Sequence, residues 1–332
     1  MTRIPARLAA IAAFAALSAT ALHAAAQSAG SYPNHPVKMI IPYAPGGATD
    51  IIARIVGAKL TESLGQSFIV ENHPGATGNI ALEMVAKAPA DGYTLLVGNV
   101  STNAINENSF AKTLTIKPSR DLVGITKLVE IPHILAASAK FPANSVPELI
   151  AAAKKSPGKI NYGSAGIGSY PHLDMEKFER KAGIQVTHVP YKDGAGKMVP
   201  SLLSGETQIA FINLSSTLPH VKAGRIKALA TTAPQRLAEL PNVPTMTELG
   251  YAGIGTNAWQ GVFAPAKTPK AVVDKLHDAI AAVLSNPEMK ENLSTKMLDV
   301  TLSGSSREFT DLVRKETKGW GDFLREANIK IE

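Results

Sequence analysis

The strongest constraint on this chain is an alternation. Short β-type apolar runs are followed by amphipathic helical stretches, and two of the strand-to-helix junctions are rich in glycine. Val37 to Ile41 is such a run, ended by Pro42. Asp50 is expected to open a helix, with Ile52, Ile55, Val56 and Leu60 at helical spacing and Gly65 just past its end. Phe68 to Val70 reads as a second strand, Asn79 to Ala88 as a helix and Tyr93 to Val97 as a third strand. A β-α-β-α-β order predicts parallel strands covered by helices.

A second unit of the same kind begins after Asp121. Strands are expected at 123–129, 133–138, 159–162, 184–189, 207–212 and 226–231. Helices are expected after the Ser145-Val146-Pro147-Glu148 capping box, over 169–182, at 195–204 and near 215–223. Residues 233–268 then read as loop, with prolines at 234, 241, 244 and 265. The tail reads as three helices at 269–284, 287–296 and 306–327. Two α/β units and a helical tail without its own sheet suggest a chain that builds one lobe, crosses to a second, and returns. The expected division is 27–128 plus 233–332 for the discontinuous first domain and 129–232 for the second. Two crossings, near 127–130 and 231–235, would form a hinge beside a ligand cleft.

Residues 1–26 read as a secretory signal: Arg3 and Arg7, an apolar stretch from Leu8 to Leu22, then Ala24-Ala25-Ala26 before Gln27. No later stretch is long and apolar enough to span a membrane. The chain has no cysteine, which excludes disulfides, a thiol nucleophile, cysteine-held metals and a lipid anchor on an N-terminal cysteine. Its net charge is +7, but the basic residues are scattered, and aromatics are only 5% of the chain, so nucleic acid is not an expected partner.

The two glycine-rich junctions carry the functional reading. One is Pro42-Tyr43-Ala44-Pro45-Gly46-Gly47-Ala48-Thr49-Asp50; the other runs Asn161-Tyr162-Gly163-Ser164-Ala165-Gly166-Ile167-Gly168-Ser169-Tyr170-Pro171-His172. A helix N-terminus presents free N–H groups and the positive end of a dipole, so it holds an anion without a formal cation. Glycine lets backbone approach the ligand, and Ser164 and Ser169 add hydroxyls. One such loop alone is ordinary turn chemistry. Two in corresponding positions point to a shared anion site. Neither loop contains Arg or Lys. Asp50 is read chiefly as a helix cap, His172 as the histidine nearest the site, Tyr191-Lys192 as a pair able to reach the cleft, and Trp259 as core.

Enzymatic motifs fail. Ser169 stands where a phosphate-loop lysine belongs, Pro171 breaks the dinucleotide glycine pattern, and no serine occupies a G-x-S-x-G elbow. No histidine forms H-E-x-x-H, and no cofactor or metal is expected.

The ordered set of motifs is specific. Besides the two loops it includes Glu71-Asn72-His73-Pro74-Gly75-Ala76-Thr77-Gly78, Ala90-Asp91-Gly92-Tyr93-Thr94-Leu95-Leu96, Val189-Pro190-Tyr191-Lys192, Ala223-Gly224-Arg225-Ile226-Lys227-Ala228 and Gly261-Val262-Phe263-Ala264-Pro265. Over nearly the whole chain after the signal this resembles the Bug-type extracytoplasmic solute receptors of the tripartite tricarboxylate transporter system. The resemblance implies a two-lobed type II periplasmic-binding-protein fold, each lobe a mostly parallel sheet flanked by helices. It implies a periplasmic, monomeric, non-catalytic receptor that closes on a small carboxylate (a di- or tricarboxylate, an amino acid or an aromatic acid) and hands it to membrane permease subunits. Carried onto this chain, the ligand contacts are Tyr43, Ala44, Gly46, Gly47 and Asp50; Asn99, Ser101 and Thr102 after the third strand; Ser164, Gly166, Gly168, Ser169 and His172; and Tyr191 and Asn213. Asp193 and Ile212 depart from the family pattern, with a glycine and an acid respectively common there. The alternatives are an exported hydrolase using Ser164 or Ser169 with His172, and a receptor that signals to a membrane sensor kinase.

Overall fold

The structure, a computed structural model, describes residues 32–191, 195–256, 258–329 and 331. The signal segment, Lys192 and Asp193 lie outside the described residues.

The chain begins with β1 (Val37–Ile41), α1 (Ala48–Leu64), β2 (Phe68–Asn72), α2 (Asn79–Ala86) and β3 (Thr94–Asn99). A π-type turn, Ser101–Ile105, leads into the short helices α3 (Asn106–Ser109) and α4 (Pro118–Asp121). The long strand β4 (Leu122–Ile131) is followed by β5 (His133–Ser138), α5 (Val146–Lys155), β6 (Asn161–Ser164), α6 (Tyr170–Ala182) and β7 (Thr187–Pro190). Then come α7 (Ala195–Ser204), β8 (Ile209–Asn213), α8 (Leu214–Lys222) and β9 (Ile226–Thr231). The return segment carries β10 (Ala258–Pro265), α9 (Lys270–Ser285), α10 (Pro287–Ser294), β11 (Asp299–Val300) and α11 (Ser306–Glu326).

Two sheets result. The first has the order β11-β4-β10-β3-β1-β2, the second β7-β6-β8-β5-β9. Each contains the expected parallel trio, β2-β1-β3 and β7-β6-β8. Antiparallel strands lie beside each trio, so both sheets are mixed. Two strands are missing from the sequence reading, the two-residue β11 and the long β10. The eight residues of β10 are all buried, between β3 and β4. A central strand covered on both faces shows no polar alternation, and its Gly261 and Pro265 read as loop.

Side-chain parity on β1 shows how the first sheet is filled. Val37, Met39 and Ile41 join the apolar layer under α1 and α9, while Ile40 joins the opposite layer under α2 and α11. The second sheet is likewise packed on one face by α5 and α6 and on the other by α7 and α8.

The crossings differ in detail from the sequence reading. Strand β4 stays in the first sheet through Ile131, so the chain changes lobes at Pro132 rather than within 127–130. The loop-rich return does not rejoin the first lobe at 233. Thr245 bridges Thr231, and Met246 and Ile254 are buried in the second lobe's core. The apolar side chains of that loop find their burial on the lobe they leave.

Candidate functional site

In a 2-1-3 strand order, the connections leaving the middle and third strands diverge, and the crevice lies beyond their carboxyl ends. Both lobes have this order, and the two crevices face each other. Between them is a narrow cavity of about 30 Å³. The first lobe lines it with Tyr43, Gly47, Ala48, Thr49, Asn99 and Gln260. The second supplies Ala165, Tyr170, Pro171, Met198 and the β8 end, Phe211 to Asn213. Among the described residues, none that lines it carries a formal charge.

The first glycine loop delivers the N-terminus of α1 to this cavity. Gly47 is the N-cap, and no side chain caps the helix. Among the described residues the N–H groups of Gly47, Ala48 and Thr49 make no hydrogen bond to the protein. Asp50 is therefore not the cap expected of it. It sits in the first turn and turns back, its Oδ2 accepting from Gly46 N–H at 3.0 Å. Its Oδ1 accepts from Arg54 Nε and Asn72 Nδ2, both at 3.0 Å. Burial pushes the carboxyl up, but the hydrogen bonds from Arg54, Gly46 and Asn72 together outweigh it and hold it below the usual carboxylate range. Asp50 and Arg54 thus form a neutral brace behind the loop.

The second glycine loop is built differently. Its hydroxyls serve the loop itself: Ser169 Oγ donates to Gly166 O at 2.7 Å, and Ser164 Oγ lies 3.0 Å from the same carbonyl and 2.6 Å from His188 Nε2. Both serines are fully buried and off the cavity wall. His172 Nδ1 accepts from Gly168 N–H at 3.1 Å, and its ring stacks on His188 with centroids 4.3 Å apart. Burial pushes both imidazoles down, His172 to about 4 and His188 to about 3, so both are neutral.

The helix α6 that follows has Pro171 in its first turn and no side-chain cap. Its Tyr170 N–H donates instead to Ser101 Oγ of the first lobe, at 3.1 Å. The two helix ends are therefore not equivalent. One keeps its donors for the cavity; the other is capped by the opposite lobe. The lobes touch elsewhere too. Gly166 (φ +110°) packs on Thr77, whose Oγ1 would lie 2.6 Å from a Cβ there. Pro45 O would lie 2.7 Å from a Cβ at Gly196.

Three carboxamides complete the polar wall. Asn99 Oδ1 accepts from Ser101 N–H at 2.9 Å and from Tyr43 OH at 3.2 Å. Asn213 Oδ1 caps α8 through Ser216 N–H at 2.9 Å. Gln260 Oε1 accepts from Thr49 Oγ1 at 2.7 Å. Each oxygen is held by the protein, and among the described residues no NH2 of the three has a hydrogen-bond partner, which leaves it for a ligand. Burial pushes the Tyr43 and Tyr170 phenols up, so both remain neutral. Tyr170 OH is engaged by His133 Nε2 at 2.6 Å.

Of the residues expected from sequence, Tyr43, Gly47, Asn99 and Asn213 reach the cavity wall. Ala44, Gly46 and Asp50 stand behind it. Ser101 links the lobes, and Thr102 Oγ1 accepts from Asn99 N–H at 3.0 Å. Ser164, Gly166, Gly168, Ser169 and His172 shape the second loop. Tyr191 OH lies 2.5 Å from Ser201 Oγ and is not on the wall. Trp259 is core, packed on Phe309, with its indole N–H on Glu316. Sequence reasoning missed Gln260, the next residue along β10. The alternation of a strand sends Trp259 one way and Gln260 the other, but only recognition of β10 as a strand would have exposed that. Thr49, Ala165, Tyr170 and Pro171 lay inside the quoted loops without being singled out, and Met198 had no signal at all.

Known proteins resemble this chain over most of its length. Residues 52–329 match the model of the tripartite tricarboxylate transporter family receptor. The protein BugT of Bordetella pertussis is 33% identical over 314 residues, 95% of this chain and 96% of BugT. A Rhodopseudomonas palustris protein solved with adipate superposes with a TM-score of 0.85 at 33% identity, covering 90% of this chain and 99% of the other. MatC from the same organism, solved with bound malate, gives a TM-score of 0.82 at 29% identity, covering 88% and 100%. By the extent of the family match and the identity to these relatives, the chain belongs to the receptor family of the tripartite tricarboxylate transporters.

Proposed function

We propose that this protein is an extracytoplasmic receptor that captures a small carboxylate between its lobes and delivers it to integral-membrane permease subunits. The observation that carries the reading is the open N-terminus of α1 at a cavity lined by three carboxamides whose oxygens are held by the protein. Helix-end N–H groups act like about half a positive charge. Each hydrogen bond to an ionised carboxylate contributes roughly 1.5–3 kcal/mol, enough in sum to offset its desolvation without a cation. The adipate- and malate-bound relatives support the same ligand class, and the signal-like residues 1–26 support export. The hydrolase alternative has no support in the geometry: Ser164 and Ser169 are buried, and His172 Nδ1 is taken by Gly168.

A thermal-shift screen against carboxylic acids tests the reading. A ligand at 100 times its Kd stabilises by about 2.7 kcal/mol. A carboxylic acid is expected to raise the melting temperature, while its amide and methyl ester leave it unchanged. Equal shifts from acid and ester would sink the anion site.

The same acid should close the lobes about the two crossing segments. Small-angle scattering is expected to show a smaller radius of gyration with the acid at saturation than without it. An identical profile in both conditions would contradict closure on ligand.

A further inference from the structure

The cavity is divided by polarity. The first lobe offers the α1 N–H groups, Asn99 and Gln260. Across from them, Met198 and Ile212 belong to one apolar cluster on the second lobe, each only 1% exposed, with the partly buried Ala165 packed against it. Pro171 extends that wall and, lacking an N–H, gives nothing to an anion. Among the described residues Asn213 is the one lining group there with an unpaired NH2, and the helix end behind it is already capped by its own oxygen.

We propose that the solute is a monocarboxylate with an apolar body, an aliphatic or aromatic acid, and that acids carrying a second carboxylate at the far end are disfavoured. The inference rests on the carboxylate-receptor reading and narrows it. A carboxylate held at α1 directs the rest of a small acid towards Met198 and Ile212. Methyl and thioether groups there welcome hydrocarbon. A second ionised carboxylate against them loses its hydration and finds one neutral amide in return, which does not replace it. A hydroxyl or carbonyl on the acid would suit that amide.

The test is titration calorimetry at pH 7.5 on the exported protein. The probes are linear mono- and dicarboxylic acids of matched length, hexanoate against adipate among them, with benzoate against terephthalate and hexanamide as the uncharged control. The tightest monoacid is expected to bind at least tenfold more tightly than its matched diacid, and hexanamide not at all. A diacid that binds as tightly as its monoacid partner overturns the inference and leaves the carboxylate reading standing. Binding of hexanamide at the strength of hexanoate, or binding by no acid of either series, overturns both. Ile212→Thr keeps the β-branch and places a hydroxyl donor on the apolar wall in place of the ethyl group, at the loss of one methyl. It should narrow the preference for monoacids severalfold, with its melting temperature reporting whether the lobe stays folded; an unchanged preference in a folded variant removes Ile212 from the argument.

Discussion

Gly196→Val is expected to weaken ligand binding about 100-fold while leaving the ligand-free protein folded and undiminished in stability. Gly196 lies in the first turn of α7 on the second lobe, and a Cβ there would sit 2.7 Å from Pro45 O of the first gripping loop. That contact exists only when the lobes meet. Forcing extra carbon into a packed contact typically costs about 1–3 kcal/mol, and a backbone carbonyl braced by the Asp50 network cannot swing aside as a side chain would. Valine's branched methyls place the cost at the upper end, which corresponds to about a hundredfold loss in the population of closed, binding-competent protein. Apart from the lobe contact, replacing a helical glycine by valine is neutral to slightly favourable, by about a few tenths of a kcal/mol. The signature is thus a split: affinity falls by calorimetry, and the melting temperature without ligand holds or rises. Wild-type affinity in this variant would mean that the ligand is bound without the first loop meeting α7.

Asn99→Asp is expected to lower carboxylate affinity by about 1,000-fold at neutral pH. The substitution keeps an oxygen where Ser101 N–H, Thr102 N–H and Tyr43 OH need one, so the turn after β3 keeps its shape. What changes is the other end of the side chain, where an NH2 donor becomes an anionic oxygen beside a carboxylate. Two like charges about 4 Å apart at an effective dielectric of about 20 repel by roughly 4 kcal/mol. Asn99→Ala, which removes the donor without adding charge, should lose less, and that ordering separates repulsion from simple loss of contact. The introduced carboxyl, buried and next to an anion, has its pKa raised, so it becomes a neutral donor as pH falls. Affinity of the variant should recover between pH 7.5 and 5 while the wild type changes little. Calorimetry across that range decides it: a variant that binds like wild type at pH 7.5 would place the Asn99 amide away from the anion.

The two glycine loops were legible in sequence because everything that makes them is local. A strand ending, glycines and a following helical stretch lie within a dozen residues of one another. The same logic located the parallel trio of each lobe. It failed at β10, because a strand buried on both faces has no alternation to read, and with β10 it lost Gln260. It also misassigned Asp50 as a cap, since a carboxylate in the first turn and one at the N-cap differ by a few positions that periodicity does not resolve.

The chain order of strands and helices, the anion-seeking character of the α1 terminus and the absence of a cation from both loops belong to the sequence alone, being properties of residue types and short spacings. Which donors stay free was decided only by the tertiary structure. Ser164 and Ser169 had hydroxyls to offer on paper, but the fold spends them on Gly166 O. Tyr170 N–H goes to Ser101 on the other lobe. Gln260 meets Thr49 across 211 positions of chain, its oxygen taken and its NH2 without a partner among the described residues. Sequence lists every donor and acceptor, but a hydrogen bond made to one partner is withdrawn from all others, and in a folded chain the competing partners are neighbours in space.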